Sequence, residues 1–140
     1  MIILDTNVLS ELMRPKPSPK VTAWFARVPP TEFFTTTITE AEIFCGIELL
    51  AKSKRREALV AAAETMFSED FAGRIFAFDS DAARAFSRLA AHHRGLGKPI
   101  SYADAQIAAI AQVRGARLAT RNVADFRHCD LDLLDPWVGS

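Results

Sequence analysis

Long hydrophobic runs are absent from the sequence. No stretch reaches the roughly 18 apolar residues of a membrane-spanning helix, so we expect none. The first residues also lack a basic region and a small-residue cleavage site, and we expect no signal peptide there. Cysteine is scarce: Cys45 and Cys129 are too few for a disulfide framework and wrongly spaced for a zinc site. These features favour a reducing, cytoplasmic environment.

An excess of positive charge is also lacking. Lys and Arg together number 17, Asp and Glu also number 17, and the formal net charge is zero. A protein that coats nucleic acid non-specifically needs a large basic excess, so that class is excluded. A nuclease is not excluded, because its active site must itself be acidic.

The apolar content, 49% of 140 residues, is enough for one core, and we predict a single domain over residues 1–140. Strands are predicted at 1–4 and about 32–36, 74–78, 116–120 and 130–134. Helices are predicted at about 6–13, 19–27, 37–52, 55–68, 80–94 and 101–114. Short strands that alternate with helices predict an α/β fold, in which about five strands form a mostly parallel sheet flanked by helices. Such sheets bind ligands beyond the carboxyl ends of their strands.

Four acids follow a predicted strand or lie near the start of a predicted helix: Asp5, Glu42, Asp104 and Asp125. Asp5 follows the first strand, and Asp125 follows the strand ARLAT. Each acid also has a helix-capping explanation, because acids are common in first turns. Asp5 suits an N-cap, and the other three stand in pairs spaced as in a capping box: Thr39–Glu42, Ser101–Asp104 and, more loosely, Asn122–Asp125.

The surroundings of Glu42 and Asp104 weaken the capping explanation. Their helices are apolar on most sides, which predicts that both carboxylates face packed structure, where an unpaired charge is costly. Three carboxylates about 5 Å apart would repel by on the order of 10 kcal/mol in total, which rivals the stability of a domain. A bound cation would relieve this repulsion, and oxygen ligands favour Mg²⁺ or Mn²⁺. Periodicity alone neither proves that the acids converge nor chooses between Glu42 and Glu40.

Four motifs occur in order along the chain: LDTNVLSEL, TEAEIFCGI, ADAQIAA and LATRNVADF, with DPW near the end. Because of these motifs, the chain resembles the PIN-domain ribonucleases over essentially its full length. Among them it looks closest to the VapC-type toxins of type II toxin–antitoxin systems, in the FitB-like branch. The resemblance implies a three-layer PIN-like fold. It also favours Glu42 over Glu40, because a glycine, Gly46, follows four residues later.

The resemblance also assigns roles to residues. Asp5, Glu42 and Asp104 match the catalytic, metal-binding carboxylates of the family, with Mg²⁺ as the implied cofactor and Mn²⁺ as a substitute. The family often has a fourth aspartate where Asn122 stands here, and Asp125 is close enough in sequence to supply that charge. The resemblance also implies supporting roles for Thr6, Asn7 and Thr120, which would lie near Asp5 or the substrate phosphate.

The implied activity is metal-dependent hydrolysis of RNA phosphodiester bonds, in which water attacks phosphorus and a carboxylate helps to take its proton. The implied partners are a cognate VapB-like antitoxin, a second copy of the chain, and operator DNA bound only through the antitoxin. Two alternatives stay open. One is a non-catalytic PIN-like binding module, which Asn122 favours and the intact acidic trio disfavours. The other is a phosphatase with Asp5 as nucleophile, although Asn7 stands where that chemistry usually has a second aspartate.

Overall fold

The computed structural model describes residues 1–138, and residues 139–140 of the predicted domain lie outside the described part. Five strands form one sheet: β1 Ile2–Leu4, β2 Phe33–Thr36, β3 Ile75–Phe76, β4 Arg117–Ala119 and β5 Leu133–Leu134. Their order in the sheet is β3-β2-β1-β4-β5. All four strand pairings are parallel, so the predicted sheet is confirmed.

The central strand β1 is buried on both faces. Ile3 and Leu4 are fully buried and Ile2 is nearly so. Because successive side chains of a strand point to opposite faces, Ile2 and Leu4 pack into one core and Ile3 packs into another. A continuous apolar run of this kind is typical of a parallel strand covered on both sides.

Six helices cover the two faces of the sheet: α1 Thr6–Leu12, α2 Pro19–Ala26, α3 Thr37–Glu48, α4 Lys54–Thr65, α5 Ser80–Gly95 and α6 Tyr102–Arg114. Residues of α1 to α4 share the core of Ile2 and Leu4, in which Phe33 is the largest fully buried side chain. Residues of α5 and α6 share the core of Ile3 and Leu118. The three-layer architecture is therefore confirmed. No helix within residues 1–138 is both long and apolar enough to cross a membrane.

Several predicted boundaries are wrong. Helix α3 ends at Glu48 rather than at residue 52, and α4 gives way after Thr65 to a wider π-helical turn, Met66–Asp70. The predicted capping pair Thr39–Glu42 does not form. The N-cap of α3 is Thr36, whose Oγ1 accepts from the Thr39 amide at 3.1 Å, because the helix begins directly where β2 ends.

The strand order changes direction at β1: successive strands are added on one side of β1 first and on its other side afterwards. The chain proceeds from β1 outward through β2 to β3, then crosses to β4 on the other side of β1. The connections leaving the carboxyl ends of β1 and β4 therefore run apart and open a crevice between them. The first predicted carboxylate, Asp5, stands directly at this point.

Candidate active site

The crevice beyond β1 and β4 has a volume of about 510 Å³ and collects polar side chains from distant parts of the chain. Asp5 comes from the end of β1, Glu42 from α3 and Asp104 from α6, and Asn122 follows β4. Thr6 and Asn7 also line it. The structure thus brings the three predicted carboxylates to one crevice, together with the residue at the fourth motif position.

Asp5 is the most deeply placed of these groups, with 3% of the residue exposed. Its Oδ1 accepts from the Thr6 amide at 2.8 Å, so it caps α1 as the sequence predicted. Its Oδ2 accepts from Thr120 Oγ1 at 2.7 Å and from Asn7 Nδ2 at 3.2 Å. Capping and a site role are therefore combined in one carboxylate, which three predicted supporting residues hold in a single orientation.

Burial raises the pKa of Asp5 to about 6, although hydrogen bonds from Thr120 and Thr6 oppose the rise. The charges of Asp104 and Glu42 add to it. Burial also raises the pKa of Asp104, and the nearby charges of Asp125 and Glu42 contribute. These mutual effects mark an excess of negative charge in the crevice that its own cations do not neutralise.

Glu42 differs from the expectation that it faces packed structure, because the residue is exposed. Its neighbour Ile43 takes the buried face of α3 instead, leaving Glu42 at the crevice wall. Thr6 Oγ1 donates to Glu42 Oε1 at 2.6 Å and lies 3.0 Å from Thr39 Oγ1. Glu40 is not among the residues that line the crevice, so geometry as well as the motif favours Glu42.

Asp104 lies in the first turn of α6, partly buried, and the predicted cap is confirmed. Ser101 Oγ accepts from the Asp104 amide at 3.1 Å. The third predicted capping pair, Asn122–Asp125, is wrong. The Asn122 side chain makes no capping hydrogen bond, and the Asp125 amide donates to the Asn122 backbone carbonyl instead. Asp125 does not line the crevice but an adjoining cleft, which it shares with Asp104.

The donor set of the crevice suits a hard cation. Asp5, Glu42 and Asp104 offer only carboxylate oxygens, the ligands that Mg²⁺ and Mn²⁺ prefer. As placed, however, no three Asp, Glu, His or Cys side chains within residues 1–138 are close enough to hold one ion. The tight cluster assumed in the repulsion estimate is therefore not formed.

The sequence reasoning missed Glu11, which is 7% exposed and lines the crevice. Glu11 Oε2 accepts from the Ser18 amide at 2.9 Å, and Oε1 lies 3.2 Å from Arg14 Nη1. The Ser18 amide and the Arg14 guanidinium hold the pKa of Glu11 below its ordinary value. Glu11 thereby fixes the proline-rich loop 13–18. Only the spacing of Glu11 and Arg14 was readable in the sequence.

Arg121 is a second side chain whose setting only the structure reveals. Its guanidinium lies 5.0 Å from the ring centroid of Trp137, and both residues line the crevice. The interaction joins the segment after β4 to the segment after β5. The two cations that line the crevice, Arg14 and Arg121, therefore each contact a partner within the chain, Glu11 and Trp137 respectively.

Comparisons with known proteins agree with this fold and site. Residues 2–130 match the model of the PIN domain family, and the chain belongs to that family. It is 36% identical over 137 residues to Toxin FitB of Neisseria gonorrhoeae, covering 98% of this chain and 99% of that protein. It is 37% identical over 137 residues to VapC ribonuclease Y4jK of Sinorhizobium fredii, covering 98% of each.

Solved structures give the same result in three dimensions. A structure of FitAB bound to a DNA fragment superposes with a TM-score of 0.91 at 36% identity, covering 98% of this chain and 96% of the other. DNA-bound VapBC from Salmonella typhimurium superposes with a TM-score of 0.81 at 25% identity, covering 96% and 97%. The predicted family and fold are therefore confirmed.

Proposed function

We propose that the protein is the toxin of a type II toxin–antitoxin system and acts as a Mg²⁺-dependent endoribonuclease. The observation that carries the proposal is the convergence of Asp5, Glu42 and Asp104 from three separate elements on one crevice. Family membership and the ribonuclease and toxin names of two relatives support it. A binding module whose acids only cap helices would not need Glu42, which caps nothing and faces the crevice.

We assign the metal to Asp5, Asp104 and Glu42. A divalent cation held there would supply Lewis-acid activation of water and charge stabilisation at the substrate phosphate. Asn122 lines the same crevice and offers an uncharged amide where the family often has an aspartate. Asp125 adds charge from the adjoining cleft, because it is near enough to contribute to the raised pKa of Asp104.

The chain's own residues have separable tasks in this proposal. Thr120, Asn7 and the Thr6 amide orient Asp5. The Thr6 hydroxyl holds Oε1 of Glu42, while Oε2 makes no hydrogen bond within residues 1–138. Oε2 is thus free to accept the proton of a water that attacks phosphorus. Asp104 lies in the first turn of α6 and lines the crevice, so the N-terminus of this helix borders the site, where its positive end would favour a phosphate.

An apolar groove supports the proposed antitoxin partner. It lies between α1, α3 and α4, has a volume of about 490 Å³, and includes Met13, Ile43, Ile47 and Leu59. The groove meets the crevice, because Glu42 lines both. A segment of a cognate VapB-like antitoxin that filled the groove would reach Glu42 and block the carboxylates. We further propose that operator DNA is bound only through this antitoxin.

We also propose that the chain pairs as a homodimer and works in the cytoplasm. The cytoplasmic assignment is supported by its two cysteines, both of which are free thiols. Dimer formation is measurable by light scattering of the purified chain with and without the antitoxin.

The test compares RNA cleavage by the parent and by Glu42→Gln in Mg²⁺, Mn²⁺ and EDTA. Glu40→Gln is the matched control, since it removes the same charge from the same helix outside the crevice. We expect metal-dependent cleavage that Glu42→Gln and Asp5→Asn lower by at least about 100-fold and Glu40→Gln leaves unchanged. Absence of cleavage on structured RNA, together with no Mn²⁺ binding by calorimetry, would refute the proposal in favour of a binding module.

A further inference from the structure

The cleft that adjoins the crevice at Asp104, and that Asp125 also lines, contains basic residues as well, which the proposed function does not use. It has a volume of about 470 Å³. Asp104 lines both the crevice and this cleft, so the two spaces adjoin at that side chain. Lys98, Arg127 and His128 line this cleft together with Asp104 and Asp125. We call it the Lys98–Arg127 cleft.

The two cations of this cleft are uncommitted. Within residues 1–138, neither Lys98 nor Arg127 takes part in an ion pair, and both residues are exposed. They face a cleft that also contains Asp104 and Asp125, yet no cation–carboxylate pair within 4.0 Å forms. The charges therefore border open space, in contrast to Arg14 and Arg121 across the crevice, which have internal partners.

The backbone holds Lys98 in a defined position. At the end of α5, the Lys98 amide donates to the His93 carbonyl at 3.0 Å and the Gly97 amide donates to the Arg94 carbonyl at 3.1 Å. Gly97 has a φ of 69°, so these bonds form a Schellman motif, which ends the helix and directs Lys98 outward. Pro99 follows and restricts Lys98 to extended backbone.

Arg127 is positioned by buried neighbours. It ends the turn Val123–Phe126, and the fully buried side chains of Phe126 and Cys129 anchor the backbone on either side. The Cys129 amide donates to the Phe126 carbonyl at 3.1 Å, which closes this bend. The backbones of two cationic residues from loops far apart in sequence are thus held beside one cleft that adjoins the candidate active site.

We propose that the Lys98–Arg127 cleft binds backbone phosphate of the RNA strand on one side of the scissile bond. The inference rests on the proposed ribonuclease function. A strand whose scissile phosphate lies at the carboxylates must leave the crevice, and the cleft that begins at Asp104 gives its next phosphates cationic partners. Arg127 suits a two-oxygen contact with phosphate, and Lys98 supplies a mobile point charge.

The experiment measures RNA binding and cleavage separately. Lys98→Gln/Arg127→Gln is compared with Lys20→Gln/Arg88→Gln, which removes one exposed Lys and one exposed Arg elsewhere. Binding of a fluorescein-labelled single-stranded RNA is followed by anisotropy across a salt series in an Asp5→Asn background, where cleavage is prevented. KM and kcat are measured with the intact carboxylates, and thermal unfolding checks that each variant is folded.

Two lost phosphate contacts should reduce the slope of log affinity against log salt by about 1.4, because each single-strand contact contributes about 0.7. Affinity at about 0.1 M salt should then fall by about 25-fold, and KM should rise with little change in kcat. The control pair should match the parent in both measurements. A salt slope for Lys98→Gln/Arg127→Gln equal to that of the control overturns the proposal.

Other outcomes separate this inference from the proposed function. If the parent cuts no RNA, the ribonuclease proposal fails, and the anisotropy slopes still decide whether the cleft contacts RNA. If the double variant keeps its RNA affinity but loses binding to the acidic segments of an antitoxin, the cleft is a protein contact and the inference is wrong. A fall in kcat at unchanged KM would likewise overturn it.

Discussion

Asp5→Asn should stabilise the metal-free protein while abolishing its activity. Burial, with the charges of Asp104 and Glu42, raises the pKa of Asp5 from 3.8 to about 6. At about 1.4 kcal/mol per pKa unit, ionised Asp5 costs the folded state about 3 kcal/mol near pH 7. Asparagine keeps the bond from the Thr6 amide, and its NH₂ group can donate to the Thr120 hydroxyl that formerly donated to Oδ2. The same NH₂ group faces the Nδ2 donor of Asn7, so that bond is lost at a cost of about 1 kcal/mol. The net gain is about 2 kcal/mol, or about 6 °C in Tm for a chain of this size.

The sign of the pH dependence gives a second check. Because the folded pKa lies above the unfolded value, the folded state binds the extra proton between about pH 4 and pH 6. Stability of the parent should therefore fall as pH rises through that window, and the advantage of Asp5→Asn should vanish near pH 4. Asp70→Asn, an exposed aspartate outside the crevice, is the matched control.

The assay is thermal and urea unfolding in EDTA, repeated with excess Mn²⁺. Metal that binds only the folded state should raise the Tm of the parent by mass action and leave the Tm of Asp5→Asn unchanged. The difference in Tm between the two proteins should therefore become smaller or change sign. A variant that is less stable than the parent in EDTA near pH 7 would refute the reasoning. A gain that persists unchanged to pH 4 would refute it equally, because the charge would then not be its cause.

Three further predictions concern the support of the site and the core. Thr120→Val removes the hydroxyl that donates to Asp5, and should lower the free energy of unfolding by about 1–3 kcal/mol in urea titrations while raising the pKa of Asp5 further, as followed by NMR. Burial raises the pKa of the Cys129 thiol to about 11, so this thiol should not react with a disulfide reagent in the native protein. We expect one reactive thiol per native chain, that of Cys45, and two after unfolding. Phe33→Ala should lower the free energy of unfolding by about 3–5 kcal/mol, as measured by calorimetry. Phe33 is 1% exposed, and its ring stacks on that of Phe25 with the centroids 4.4 Å apart.

The sequence was sufficient to predict a mostly parallel sheet flanked by helices and the position of the first carboxylate. A buried apolar run that ends in Asp5 and continues as a helix places that side chain at the carboxyl edge of a parallel strand, whatever the details elsewhere. Periodicity could not choose Glu42 over Glu40, because both stand on one turn of a helix whose apolar residues are not confined to one face. The motif made that choice, and the crevice geometry agrees with it.

The contacts that local sequence patterns did not reveal depend on how the elements meet in the fold. Thr120 holds Asp5 across 115 positions of sequence, a role that only the family resemblance implied, and Ser18 reaches Glu11 across a proline-rich loop. The cap of α3 is Thr36 because β2 runs into the helix without a connecting loop, which a local capping pattern cannot reveal. Glu42 is exposed because the crevice, and not a neighbouring helix, lies over its face of α3.

The two sides of the crevice therefore differ in a way that gives the candidate site a direction. On one side, Arg14 and Arg121 are engaged by Glu11 and Trp137, and Glu42 leads into an apolar groove. Beyond Asp104, the cations of the Lys98–Arg127 cleft form no ion pair within residues 1–138. An apolar groove suits a protein segment and free cations suit a phosphate chain. The groove adjoins the crevice at Glu42 and the cleft adjoins it at Asp104, so inhibitor and substrate would reach the carboxylates from different sides and compete only at the carboxylates themselves.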